Sequence, residues 1–456
     1  MTAKKLTDYI KQSISVQGTK KEEQPKPAQV RILFEKETEL QETPIGKIPK
    51  EWKIATLKDI ALISSGNTAP QEKKYFEGGK FPFIRVQHLN NLEEQKYPTQ
   101  YDLINELAIF ELKLKKFRKG SIIFPKSGES IRLEKRAILR EDSFVVNHLA
   151  VVEPIHPEVH NMFLFYYLCS IKTSNYLTKT TMPSLNLSTI QTFHIPLPPL
   201  SEQKVIAEIL STVDSAIDRV RRLVERAEKL KKGLMQELFT KGIGHKEYKE
   251  TPIGKMPKDW RLERLSNISS EIKAGGTPLR SRREYWNGDI PFVKIEDMTN
   301  SFKYLLTISE TITKEGLENS NAWLVPENSL LLAIYGSLGE VVINKIKVAT
   351  NQAILAITPR NPKDVEYLYY WFLYYKPNWK KYAKPTTQPN LTKEIVENTL
   401  LPYPPSSERE KIAEILSTVD EYIRVLRVKL ERLEHVKKWL MDVLLTGKVR
   451  VIVEPS

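Results

Sequence analysis

One cysteine is all that the 456 residues contain. It is Cys169, inside the apolar stretch MFLFYYLC, so no internal disulfide can form and the side chain reads as a small buried hydrophobe. No run approaches the roughly 18 apolar residues that a membrane-crossing helix needs. The N-terminal MTAKKLTDYI lacks the apolar core of a secretory signal. These absences make cytoplasmic residence the expectation.

Catalytic patterns are missing too. There is no G-x-x-x-x-G-K-[ST] phosphate loop. Pro198-Pro199 and Pro404-Pro405 lack the preceding acid or amide with which an amino-methyltransferase holds a flipped base. FEGGK (76–80) reads as a turn rather than a cofactor loop. One cysteine and seven scattered histidines give no metal-ligand spacing. Catalysis by this chain alone, and a bound metal or cofactor, are therefore not expected.

What is present begins with charge. Lys and Arg number 70 against 56 Asp and Glu, a formal net charge of +14. That balance points to a polyanionic partner, nucleic acid ahead of a membrane surface, because no lipid motif or basic amphipathic membrane helix is found. Hydrophobic content of 41% is that of a folded protein, and the length suits two to four domains.

The chain is built on a repeat. IAEILSTVD occurs at Ile206–Asp214 and again at Ile412–Asp420, 206 positions later. IPLPPLSEQ before the first copy parallels LPYPPSSER, and LKKGLMQELFT after it parallels VKKWLMDVLLT. TPIGKIPKEW (43–52) recurs as TPIGKMPKDW (251–260), each a Pro/Gly turn running into a tryptophan that would anchor the start of a domain. The first residues are polar, with a short helix compatible with Leu6–Ile14 and a flexible reading for Lys20–Gln29.

Between these elements lie two variable blocks. GKFPFIRVQHL, KGSIIFPKSG and SFVVNHLAVVEP read as strands, followed by a helix over Glu158–Tyr176. The second block repeats the plan with GDIPFVKIEDM, NSLLLAIYGSLG, TNQAILAITP and the helical VEYLYYWFLYYK. Gly66-Asn-Thr68 answers Gly275-Gly-Thr277, and Asn147-His-Leu-Ala answers Asn351-Gln-Ala-Ile.

Each conserved segment opens on a proline-rich stop, a serine N-cap candidate (Ser201, Ser407) and a first-turn Glu. A seven-residue apolar period follows. Ile206, Val213, Val220, Ala227 and Leu234 form one row, with Ile209, Ala216, Leu223 and Leu230 as the second. In the other copy the rows are Ile412, Val419, Leu426, Leu433 and Leu440, and Ile415, Tyr422, Val436 and Val443. Five heptads without proline predict a coiled-coil helix of about 60 Å. The tail TGKVRV aligns with TKGIGH after the first helix, and what should follow it stands at the N-terminus as ETELQETPIGK. The repeat thus closes on itself. The expected fold is α+β: two similar mixed α/β domains joined by two long antiparallel coiled-coil helices, pseudo-two-fold and circularly arranged. The linear division is an arm (1–42), a first domain (43–200), a helix (201–241), a linker (242–250), a second domain (251–406), a helix (407–446) and a tail (447–456).

On TPIGKIPKEW, IPLPPLSEQ with IAEILSTVD, and the doubled order of variable block and helix, nearly the whole chain resembles the specificity (S) subunit of Type I restriction–modification systems. The resemblance implies two target-recognition domains, each reading one half of a split double-stranded DNA site, with the helices setting the gap. It implies two methyltransferase (M) subunits docked on the conserved regions and restriction (R) subunits in the full complex. S-adenosylmethionine, ATP and Mg would then belong to those partners. Two other readings are opposed by the residues: a self-contained methyltransferase or nuclease by the missing motifs, and a non-DNA coiled-coil scaffold by the charge and the two differing domains.

Arg and Lys suit guanine, Asn and Gln suit adenine, and any donor can hold a phosphate. Arg85, Gln87 and His88 follow a predicted strand, with Lys294, Glu296 and Asp297 as counterparts. The turn Lys126-Ser127-Gly128 pairs with Tyr335-Gly336-Ser337. The loops ahead of the conserved helices offer Lys179, Thr180, Lys384, Thr386 and Gln388. Lys113, Lys115, Lys116, Arg118 and Lys119, and Arg280, Arg282 and Arg283, form basic clusters suited to phosphates. Recognition positions in the family vary by nature, so none is assigned from it.

Overall fold

A computed structural model describes residues 31–177, 183–382 and 390–454. The helix expected within Leu6–Ile14 and the stretch Lys20–Gln29 lie outside them. The described residues form two compact units, one made of the chain up to Val224 together with the part from Leu426 onward, the other of Glu225–Val425. This division is not the linear one. Each unit holds one variable block, the first half of the long helix after it and the second half of the other long helix.

The helices are α1 (Asn161–Ser170), α2 (Leu200–Thr240), α3 (Val365–Tyr382) and α4 (Ser406–Leu444). In the first unit, an antiparallel sheet has the order Ala137–Ile138, Ile122–Pro125, Leu149–Pro154, Ala61–Ser65. Strand alternation divides its side chains between two cores. Ile122, Phe124, Ala150 and Val152 face α1 and the long helices. Ile123, Leu149 and Val151 face a second core. That outer core carries a small sheet in which Phe144–Val145 runs parallel to Phe81–Ile84, and Asp102–Ile104 antiparallel.

The second unit repeats the plan. Its main sheet runs Ser269–Ala274, Ile354–Pro359, Leu330–Ala333, Val341–Asn344, Tyr304–Leu305. Leu330, Leu332, Leu355 and Ile357 face the helices, and Leu331, Ala333, Ile354 and Ala356 the other side. The outer sheet again has one parallel pair, Ala349–Thr350 with Trp286–Val293, and one antiparallel pair, with Glu310–Ile312. The runs SFVVNHLAVVEP and TNQAILAITP each supply two strands, one per sheet. The glycines noted beside them sit where the two sheets approach. A Cβ would lie 2.2 Å from the Val145 carbonyl oxygen at Gly66, and 1.9 Å from that of Thr350 at Gly275.

The tryptophan hooks are hairpins, Leu40–Thr43 with Gly46–Pro49 and Tyr248–Thr251 with Gly254–Pro257. Each buries its tryptophan and hands the indole N–H to a first-turn glutamate of a long helix. Trp52 donates to Glu202 at 3.2 Å, and Trp260 to Glu408 at 2.9 Å. Glu202 also binds Arg450 and the Val451 N–H at 2.9 and 3.0 Å, and Glu408 binds His245 at 2.9 Å. The repeat closes as a strand pair: Arg31–Lys36 runs antiparallel to Val449–Glu454.

Within each unit the helix halves are clamped by a buried aspartate, the last residue of IAEILSTVD. Asp214 accepts from the Tyr166 hydroxyl at 2.7 Å and lies 2.6 Å from Lys437. Asp420 accepts from Tyr370 at 2.8 Å and lies 2.6 Å from Lys231. In the first unit Arg221 meets Glu434 at 3.1 Å, so residue numbers rise on α2 as they fall on α4 and the halves run antiparallel.

Three expectations are corrected. Ile206, Val220, Ala227 and Leu234 are buried on α2, and Ile412, Val419 and Leu426 on α4. Val213, Leu433 and Leu440 are half-buried. The second α2 row, however, is Leu210, Ile217 and Val224, one residue beyond the expected one. Ile209, Ala216 and Leu223 are only half-buried and Leu230 is exposed. On α4, Leu416 and Ile423 take this place beside Ile415, while Val436 is exposed. The expected second row stands three residues after the first and the observed one four; both spacings repeat every seven residues, and packing selects the row of Gln203, Leu210, Ile217 and Val224. Ser201 and Ser407 lie inside the first turn, where the Pro199 and Pro405 carbonyls accept the first helical N–H groups. Finally, the helix expected over Glu158–Tyr176 stops at Ser170. Arg136 captures the Ile171 carbonyl at 2.9 Å, and Glu134 accepts from the Thr173 and Ser174 N–H groups, leaving a 3₁₀ turn at Thr173–Tyr176. Cys169 is half-buried against the helix-facing core, and burial pushes its thiol up to about 11.

Two outcomes follow. Trp260→Ala removes a fully buried indole and leaves Glu408 short of a donor, which costs roughly 3–5 kcal/mol in denaturant unfolding of the full chain; a loss below roughly 1 kcal/mol would contradict the anchoring role. Partial burial would raise the Glu134 carboxyl, but the Ser174 amide and Arg136 hold it down to about 2, from an ordinary 4.5. Its contribution is therefore present above the ordinary value and is lost as pH falls from about 4.5 toward about 2. The melting-temperature gap between wild type and Glu134→Gln should narrow over that interval.

Candidate nucleic-acid interface

In each unit the strands end in loops that gather at one rim. In the first unit, the turn after Ile122–Pro125 lies beside the loop before Leu149–Pro154, because those strands pair. Ser127 Oγ and His148 Nδ1 are 2.7 Å apart, and the Lys126 N–H donates to the His148 carbonyl at 2.9 Å. The chain returns to this rim after residue 182, where the Gly128 N–H donates to the Pro183 carbonyl at 2.9 Å. In the second unit, Tyr335 follows Leu330–Ala333 and Gln352 precedes Ile354–Pro359, a paired strand. Thr277 donates to Gln352 Oε1 at 2.7 Å, and Asn390 to the Tyr335 hydroxyl at 2.9 Å. Ser337, half-buried, accepts the Glu340 N–H on its carbonyl and so closes the turn.

The loop after the first outer strand sorts its residues. Arg85 is held by Asp102 at 2.5 Å and by the Pro70 carbonyl at 3.1 Å. His88 is buried and accepts the Arg85 N–H at 2.9 Å. Burial lowers the His88 pKa against the pull of Asp102, so the imidazole is neutral at pH 7. Lys294 and Asp297 repeat the arrangement, with Lys294 3.2 Å from Glu310 and the buried Asp297 accepting the Lys294 N–H at 2.8 Å. These four residues hold loops. Gln87 and Glu296 between them are exposed. Gln87 overlooks a cavity of about 340 Å³ with Ser130 and Lys135, and Glu296 one of about 880 Å³ with Asn300 and Arg424.

The basic clusters are exposed and partly paired. Lys113 is exposed, Lys115 reaches Ser64 at 3.2 Å, and Lys116 lies 3.3 Å from Asp142. Arg118 and Lys119 are exposed beside them. Arg280 stacks on Trp286 at 3.7 Å and meets Glu310 at 2.8 Å, drawing that carboxyl below its ordinary value. Arg282 lies 3.3 Å from Glu284, and Arg283 is exposed. Exposed pairs of this kind are worth little and can be exchanged for phosphate contacts. Lys179, Thr180, Lys384, Thr386 and Gln388 fall outside the described residues.

The rims therefore join Gln87, Lys126, Ser127 and His148 in one unit, and Tyr335, Gln352 and Thr277 in the other. Sequence reasoning missed His148 and Gln352. The signal was there: aligned blocks place both after a shared asparagine, as exposed polar residues that differ between the two copies. Among the described residues, no helix is long and apolar enough to cross a membrane.

Comparison with known proteins agrees with the duplicated architecture. The family described as Type I restriction modification DNA specificity domain matches twice, over residues 49–229 and 257–435. The MjaVIII and MjaIX type I restriction enzyme specificity subunits of Methanocaldococcus jannaschii are 28% and 27% identical, each over 92% of this chain and 98% of their own length. The crystal structure of the S subunit of a Type I restriction–modification system from M. genitalium superposes with a TM-score of 0.56 at 16% identity, covering 86% of this chain and 96% of that one. With both copies matched and the fold shared, the chain belongs to the Type I restriction–modification DNA specificity family.

Proposed function

We propose that this chain is the DNA-reading, non-catalytic subunit of a Type I restriction–modification complex. Each unit reads one half of a bipartite double-stranded target through its rim. The long helices set the spacer and dock two methyltransferase subunits, and restriction subunits complete the nuclease. S-adenosylmethionine, ATP and Mg belong to those partners, and the complex works in the cytoplasm. The observation that carries the reading is one topology used twice, with the same internal scaffold and different exposed groups at equivalent rim positions. Two half-sites of different sequence are what such a pair would read. The +14 charge supplies the sequence-independent part of the affinity.

The test is a gel shift of the full chain with its methyltransferase partner, followed by sequencing of methylated duplexes. Salt-sensitive selection of one split site is expected; methylation or cleavage by the chain alone, or no preference at any salt, contradicts the proposal. Gln87→Ala and Gln352→Ala should each weaken discrimination at one base of their own half-site by about 10-fold, within the 1–3 kcal/mol of a bidentate contact, and leave the other half unchanged. Lys116→Ala should weaken all sequences alike and reduce the salt slope by about one. Deleting one heptad from both helices removes about 10 Å of rise and should shorten the preferred spacer by about three base pairs; an unchanged spacer would sink the ruler idea.

A further inference from the structure

A lone lysine from each variable block enters the buried aspartate clamp of its own unit. Lys96 Nζ donates to Ser211 Oγ at 2.9 Å and lies 4.0 Å from Asp214. Lys303 Nζ donates to Ser417 Oγ at 2.8 Å and to the Tyr370 hydroxyl at 3.2 Å, and pairs with Glu366. Both lysines are buried, at 1% and 6% exposure. Ser211 with Asp214, and Ser417 with Asp420, are the same i, i+3 pair of IAEILSTVD, on one face of a helix. The lysine backbone is held at the same time by the main sheet. The Lys96 carbonyl accepts the Ile138 N–H at 2.7 Å, and the Lys303 carbonyl accepts the Ile343 N–H at 2.9 Å. Each lysine therefore ties the sheet of a reading domain to the helix beneath it, in two blocks whose surrounding sequences, NLEEQKYPT and TNSFKYLLT, share only Lys-Tyr.

Stability alone does not account for this arrangement. Burying a cation beside a carboxylate is close to neutral against an apolar side chain of equal size, because desolvation offsets the attraction. Asp214 and Asp420 already have a cation each, from Lys437 and Lys231. Burial in fact pulls the Lys303 ammonium below its ordinary pKa, with Glu366 opposing. What a directional donor at the end of a fully packed stem adds is orientation.

We propose that Lys96 and Lys303 are positioning residues that fix each reading domain on its helix, so that only one spacing between half-sites is accepted. This rests on the proposed function above. Lys96→Met and Lys303→Met keep the stem volume and leave both aspartates paired, so the chains should fold, which a melting curve checks. Full-length wild type and variants, each with the methyltransferase partner, would methylate a random duplex library. A second library would hold the selected half-sites and vary the spacer. Wild type is expected to use one spacer. Each Met variant should lose that discrimination by about 10- to 100-fold, the effect of a displacement near 1 Å, with base preferences inside both half-sites unchanged. An unchanged spacer profile overturns the proposal. So does loss of base preference together with spacing, which would make the lysines merely structural. If wild type selects no split site, the functional reading itself fails, and this inference with it.

Discussion

A carboxylate inside a packed helix interface must be answered by donors, and this one requirement organises both units. Asp214 and Asp420 would each cost several kcal/mol if left unpaired. Each is met by a tyrosine from the block's helix (Tyr166 of α1, Tyr370 of α3) and a lysine from the opposing long helix. The clamp thus specifies three things at once: the stagger of the helix halves, their antiparallel sense, and the seating of the block on them. Glu202 and Glu408 do the same at the helix N-termini, where the helix dipole adds its own attraction. There they bind a tryptophan from the hairpin that opens the block and a cationic or imidazole group from beyond the other helix. The repeated segments are alike because they supply these fixed acceptors.

Much of this was legible in the residues. Apolar runs bounded by Gly, Pro and Asn in KGSIIFPKSG and NSLLLAIYGSLG placed the central strands, whereas the crowding of two sheets at the matched Gly66 and Gly275 shows only in the structure. The closing of the repeat was readable from the offset of TGKVRV and ETELQETPIGK. It is realised as pairing of Arg31–Lys36 with Val449–Glu454. The helix seam was half legible. A row starting at Ile206 stands out, but Ile209 and Leu210 are adjacent and equally apolar, so only three-dimensional packing decides between them.

The proposed reading surface was the least legible, for a physical reason. Arg85 and Lys294 look like base readers in the sequence, yet acids from neighbouring strands hold them, and Asp102 and Glu310 lie 17 and 16 residues downstream. His88 is a buried acceptor. A lysine such as Lys96 or Lys303 carries no local pattern that separates it from the other basic residues of a chain with net charge +14. Its meaning lies in contacts to residues 115 and 114 positions away. Serine ahead of a helix is an ordinary cap signal, but here a proline two residues before each serine starts the helix first.

The central sheet of each unit has side chains on both faces, and each face belongs to a different core. Such a sheet works as insulation. A substitution that reshapes the outer core or its rim is separated from the helix-facing core by a layer of backbone hydrogen bonds, which transmits little volume change. The outer half of each unit can therefore drift in sequence while the inner half stays under strict packing constraint. Evolvability is in this sense a property of the layer order: a part free to vary and a part that is not are kept on opposite sides of a wall.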